Sequence, residues 1–217
     1  MAVTDKSMTQ KAYTFLRAQI QNCEYMPGET LVEKQICERL QCGRTPVREA
    51  LLTLKQEGLV DVFPRKGMYV RPLTKQNVNE IYQSRKILEC SIASQYCSLY
   101  DKSELLRFDA AFKSIDLSDS REYYTLDTDF HTFLISVTGN ETLLRFYREL
   151  MWTQIRIAMY SERRNTAMKS DAYRQHHGII SAILAENQRE INHLLVEHTN
   201  YSLVVALKAL AEELPTN

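Results

Sequence analysis

A chain of 217 residues, 44% hydrophobic and 25% charged, has room for two unequal domains with ordinary apolar cores, and its 27 basic against 27 acidic side chains name no polyanion partner by themselves. Five cysteines, Cys23, Cys37, Cys42, Cys90 and Cys97, form no CxxC pair, and their odd number argues against a closed disulfide framework. The opening MAVTDKSMTQ lacks the apolar core of a secretion signal and no run approaches roughly 18 apolar residues, so secreted and membrane classes are set aside and a cytoplasmic location is expected.

Between Met8 and Gln21, Tyr13, Leu16 and Ile20 recur at the three-to-four spacing of an amphipathic helix. Tyr25-Met26-Pro27-Gly28-Glu29 breaks it, and a short helix is predicted from about Leu31 to Leu40. After the turn Gln41-Cys42-Gly43, Thr45-Pro46 reads as a helix start, with a hydroxyl N-cap and a proline at the first helical position, and Val47, Leu51 and Leu54 form the inward stripe. Gly58 ends that helix, and Leu59–Val62 and Met68–Val70 flank Pro64-Arg65-Lys66-Gly67 as a two-stranded wing with a basic tip. The rest of the chain contains only Gly139 and Gly178 and no strand-like run; six helices are predicted, at 75–99, 102–115, 119–137, 141–163, 170–186 and 187–211. The expected fold class is therefore mainly α, with a winged helix-turn-helix over residues 1–74 and an all-α six-helix bundle over residues 75–217.

Charge is divided between these parts: residues 1–74 carry 11 Lys and Arg against 8 Asp and Glu, whereas residues 75–217 carry 16 against 19. The basic part suits a nucleic acid. Arg44 and Arg48, four apart, share a face at the start of the third helix, where a winged helix-turn-helix meets the major groove and arginine's planar fork matches guanine or phosphate. Lys34, Thr45 and the wing residues Arg65, Lys66 and Gly67 extend the expected contact with double-stranded DNA.

All five histidines lie in the second part, at 131, 176, 177, 193 and 198. Asp127 and His131 are one turn apart on one helix, His176 shares a face with Ile179, Ile180 and Ile183, and His198 shares one with Leu194, Leu195 and Val205. Three imidazoles and a carboxylate aimed inward from three helices suit a divalent metal ion such as zinc, nickel, manganese or iron. His177 is about 100° around the helix from His176, and His193 is off the His198 face, so both are expected outside the set.

Pro27-Gly28-Glu29, Leu31-Val32-Glu33, Arg44-Thr45-Pro46-Val47-Arg48-Glu49-Ala50-Leu51, Leu54 and Glu57-Gly58-Leu59-Val60 resemble the GntR family of regulators. That resemblance implies DNA contacts at Arg44 and Arg48 with Thr45 beside them; Gly43 and Lys34 depart from the more usual serine or threonine and arginine. Leu126-Asp127-Thr128-Asp129-Phe130-His131, Gly139-Asn140, His176 through Ile183, and His198 resemble the helical ligand-sensing (FCD) domain of the FadR-like branch, in which many members hold a metal with an aspartate and three histidines at these positions. Six helices rather than seven are similar to the VanR-like subgroup, and Gln175-His176 stands where glutamate-histidine is common.

An octahedral metal held by four protein groups keeps two positions for a small carboxylate; the resemblance implies a pocket arginine at Arg85, and Arg156 is a second inward candidate, each an expected effector-binding cation or else half of a structural salt bridge. The resulting expectation is a homodimeric, ligand-responsive regulator of transcription, a repressor whose small organic acid alters operator binding, and not an enzyme. Its rivals are a metal-dependent enzyme and a direct metal-ion sensor.

Overall fold

In the computed structural model, residues 2–65, 67–164 and 171–211 are described, and they form two units, Met1–Leu73 and Thr74–Asn217. Lys66 at the wing tip, and the helix break expected at Asn165-Thr166, lie outside the described residues.

The first unit begins with α1 (Ala2–Gln21), six residues earlier than its apolar stripe suggested, because nothing in that opening segment breaks a helix. Ala12, Leu16 and Ile20 are its buried stripe. Then follow β1 (Thr30–Leu31), α2 (Glu33–Leu40), α3 (Arg44–Gln56), β2 (Val60–Phe63) and β3 (Gly67–Val70). The sheet has three strands in the order β1-β3-β2, antiparallel throughout. The expected hairpin of two strands is present as β2 and β3, and β1 adds a third strand that the sequence reading did not include. Leu31, assigned above to a helix, pairs instead with Met68, and Gly28 N–H donates to the Val70 carbonyl at 2.9 Å.

Helix α3 starts one residue before the expected cap: Gly43 is the N-cap, its extended backbone making no side-chain bond, and Thr45 lies inside the first turn. Pro46 is tolerated there because first-turn N–H groups have no helical partner. Val47, Ala50, Leu51 and Leu54 close the core against α1 and β2. Gly58, at φ +76°, provides the left-handed exit.

The second unit is a bundle of α4 (Lys75–Gln95), α5 (Lys102–Ser114), α6 (Ser120–Ser136), α7 (Glu141–Glu162), α8 (Ala172–Leu184) and α9 (Gln188–Ala211), with a 3₁₀ turn at Cys97–Leu99. That turn divides the single helix expected over 75–99: Tyr96 leaves helical geometry, and with no glycine or proline to mark the spot the apolar period ran through it. Thr74, Asp101, Asp119 and Asn140 cap the starts of α4 to α7 by accepting backbone N–H bonds. Helix α9 packs along α4 and α8, and α6 lies against α4 and α7, so α4, α6, α8 and α9 surround one interior volume.

Candidate metal centre and nucleic-acid interface

Helix α6 turns Asp127 and His131 to one side, α8 contributes His176, and α9 contributes His198. One ligand atom from each of the four lies within 4.8 Å of the others, and all four residues are buried. His131 Nε2 is 3.1 Å from His198 Nε2, and His176 Nε2 is 3.1 Å from Asp127 Oδ1.

The outer nitrogens explain why the inner ones face each other. His176 Nδ1 donates to the Ala172 carbonyl at 2.8 Å, and His198 Nδ1 donates to Gln175 Oε1 at 2.8 Å. His131 Nδ1 lies 2.8 Å from Glu89 Oε2, bent from hydrogen-bond alignment but with no other acceptor taking it. These acceptors hold protons on the three Nδ1 atoms, leaving lone pairs on the Nε2 atoms. With that tautomer the Nε2 lone pairs of His131 and His198 meet at 3.1 Å, and His176 Nε2, 3.1 Å from Asp127 Oδ1, is out of hydrogen-bond alignment with it.

Burial and the close partners also shift the ionisation of the cluster. Burial pushes His198 well below the ordinary histidine value, with the neighbouring imidazoles of His176 and His131 adding to it. Burial also lowers His131, outweighing the attraction of Glu89. For Asp127 burial alone acts upward, yet His131, His176 and Arg85 hold its carboxyl well below the usual carboxylate range. Phe112 stacks on the His176 ring at 4.0 Å and Phe130 meets it edge-on at 5.5 Å, which fixes the ring plane.

Sequence reasoning missed Glu89, Gln175 and Tyr147. Glu89 is fully enclosed; Arg85 Nε donates to its Oε1 at 2.6 Å and the Tyr147 hydroxyl donates to the same atom at 2.5 Å. The available signal was a glutamate in the buried stripe Val78, Tyr82, Arg85, Glu89 and Ile92 of α4.

A small cavity beside the cluster is lined by Arg85, Tyr123, Asp127, Gln154, His198 and Tyr201, among others. Arg85 therefore reaches the expected effector pocket but is committed to Glu89. Arg156 is buried on α7 and is not among the residues lining this cavity. His177 stays exposed with Nδ1 2.8 Å from Asp109 Oδ1, and exposed His193 faces Glu197 at 3.6 Å, so neither joins the cluster.

In the first unit, Arg44, Thr45 and Arg48 are exposed on the opening turns of α3. Thr9 Oγ1 donates to Glu49 Oε2 at 2.8 Å, turning that carboxylate toward α1. Lys34 is exposed on α2, 4.0 Å from Glu38. Arg65 and Gly67 are exposed at the wing turn, both with positive φ.

Comparison with known proteins assigns both units. Residues 80–201 match the FCD domain, and residues 8–70 match the bacterial regulatory proteins of the gntR family. The chain belongs to the GntR family of bacterial transcription regulators, in its FCD-containing branch.

This GntR-family chain is 25% identical over 195 residues to the HTH-type transcriptional repressor RspR of Escherichia coli K12, covering 88% of this chain and 85% of that one. A GntR transcriptional regulator from Rhodococcus sp. RHA1 has the same fold, at a TM-score of 0.78 and 23% identity over 93% of this chain and 98% of that one. A metal-free FCD domain of another transcriptional regulator aligns with 64% of this chain and 98% of its own length, at a TM-score of 0.55 and 19% identity. Among the described residues no helix is long and apolar enough to cross a membrane.

Proposed function

We propose that this GntR-family regulator is a homodimeric repressor whose first unit grips an operator and whose second unit holds a divalent metal ion and senses a small organic acid. The observation that carries the sensing half is the convergence of Asp127, His131, His176 and His198, all buried, with their ligand atoms within 4.8 Å of one another. Such a donor set fits a cation of the zinc, nickel, manganese or iron class. When bound, the ion would supply open coordination positions for a carboxylate. The chain's own residues do the rest: the phenylalanines fix one imidazole, the outer acceptors orient all three, and Tyr123, Gln154 and Tyr201 line the space where an acid would lie.

For the operator half, exposed Arg44 and Arg48 at the opening of α3 support base and phosphate contact, with Thr45, Lys34, Arg65 and Gly67 around them. Two-fold pairing of chains would match a two-fold symmetric site. We read the centre as a sensor and not a catalyst, in keeping with a transcription-regulator family; the bundle of six main helices accords with the VanR-like subgroup.

Selection of random duplexes with the full-length chain tests this reading. The expected product is a palindromic site lost by Arg44→Ala and Arg48→Ala. Recovery of no preferred sequence, or an asymmetric one bound by a monomer, would overturn it. A thermal-shift screen of small carboxylates on the metal-loaded chain should find acids that raise its melting temperature, because ligands of the folded state stabilise it.

A further inference from the structure

The three imidazoles are oriented by three different acceptors. His176 is held by a backbone carbonyl, His198 by the neutral amide of Gln175, and His131 by the carboxylate of Glu89. Any acceptor behind an imidazole pins the ring and raises the basicity of the inner nitrogen, and a charged carboxylate does so more strongly than a neutral amide or carbonyl. Glu89 is thus the one outer acceptor among these three with a charge to give. It is also the most firmly placed, enclosed completely, with Arg85 at 2.6 Å and the Tyr147 hydroxyl at 2.5 Å on its other oxygen. The oxygen left for His131 is Oε2, at 2.8 Å, which also takes the longer Arg85 Nη2 contact at 3.5 Å.

We infer that Glu89 is a positioning residue that sets how tightly this centre holds its cation, and that Gln175 deliberately leaves the His198 ligand weaker. This rests on the metal reading above. The two positions are alike in placement: each sets a side-chain oxygen 2.8 Å from the Nδ1 of one ligand, from α4 and α8 respectively. Moving the carboxylate from one to the other should therefore move the strength without rebuilding the cluster. Because Glu89 shares α4 with Arg85, which lines the cavity, an acid that draws on Arg85 also loosens the hold on Glu89. Effector and cation are then coupled through one ion pair, and coupling in binding is reciprocal.

Zinc titration of the full chain tests the inference, using Glu89→Gln, Gln175→Glu and the two together. Glu89→Gln should weaken zinc about 10–100-fold, the usual cost of losing an outer partner of a ligand. Gln175→Glu should tighten it by roughly 10-fold on the same grounds, and the double variant should return toward wild type. Because Glu89→Gln leaves Arg85 buried without its carboxylate, Arg85→Met/Glu89→Gln repeats the measurement without that charge, and Gln175→Glu leaves the pair untouched. Nitrogen chemical shifts should also place the His131 proton on Nδ1 in the metal-free wild type and redistribute it in Arg85→Met/Glu89→Leu. Wild-type chain that takes up no zinc would sink the metal reading itself. Tight zinc binding in the wild type with unchanged affinity in Glu89→Gln, Arg85→Met/Glu89→Gln and Gln175→Glu would overturn this inference alone.

Discussion

Arg44 and Arg48 stand in water at the start of α3, whereas His131 and His176 are wholly enclosed where helices of the second unit meet. The arginines keep their freedom and their hydration until a partner arrives. The histidines have neither: rings, protons and carboxylates are fixed by Phe112, Glu89, Gln175 and the Ala172 carbonyl. An exposed cation costs the fold little and carries its strength into binding, while a buried polar cluster is expensive unless every charge is matched. Substitutions in the two regions should therefore be read by different instruments, one by DNA affinity and the other by stability and metal content.

The largest effect is expected at the buried pair. Glu89→Leu alone should cost about 3–5 kcal/mol, because the Arg85 guanidinium is left uncompensated in the interior, and Arg85→Met/Glu89→Leu should recover most of that. Chemical denaturation followed by the helical signal measures both. Equal loss in single and double variants would mean that packing, not charge, governs this spot.

At the exposed region the expectation reverses. Arg44→Ala and Arg48→Ala should each remove about 1–3 kcal/mol of operator affinity while leaving the melting temperature unchanged. Competition binding with operator and scrambled duplexes separates base readout from phosphate attraction. Loss of stability in either variant would break the contrast between the regions.

Legibility in the sequence followed the same divide. The core stripes of α1 and α3, the breaks near Tyr100-Asp101, Asp116-Ser118, Gly139-Asn140 and Glu186-Asn187 and the glycine exit at Gly58 all rest on spacing and backbone preference, which act locally. What failed was non-local: β1 exists because Leu31 pairs with Met68, thirty-seven positions away, and nothing in two residues announces it. Thr45 looked like a cap because hydroxyls cap helices, but Gly43 reached the extended backbone first. Asp127, His131, His176 and His198 could be gathered because each lay on an apolar face. Glu89 could not be assigned a role, since its partners His131 and Tyr147 sit on other helices.

Acidification should act on the interior and spare the exterior. In metal-free chain the folded state keeps His131 and His198 neutral, with pKa values below the ordinary one, while the unfolded chain takes up protons below about 6.5. Stability is therefore full above that pH and falls as pH drops through it, by about 1.4 kcal/mol per unit for each histidine kept neutral. Bound metal should leave in the same direction, since protons compete for the same nitrogens. A melting temperature that rises on acidification between pH 7 and 5 would contradict the sign.

The smallest effect belongs to the wing. Arg65→Ala should weaken operator and random DNA alike and reduce the slope of log affinity against log salt by about one, leaving specificity intact.

The central claim, that the second unit is built around a cation, is most directly tested by elemental analysis of tag-free protein purified without chelator. One equivalent of a divalent transition metal per chain is expected in the wild type, strongly reduced by alanine at Asp127, His131, His176 or His198 and retained in His177→Ala and His193→Ala. Folded wild-type chain that carries no such metal, and takes up none when zinc, nickel, manganese or iron is supplied, would contradict it.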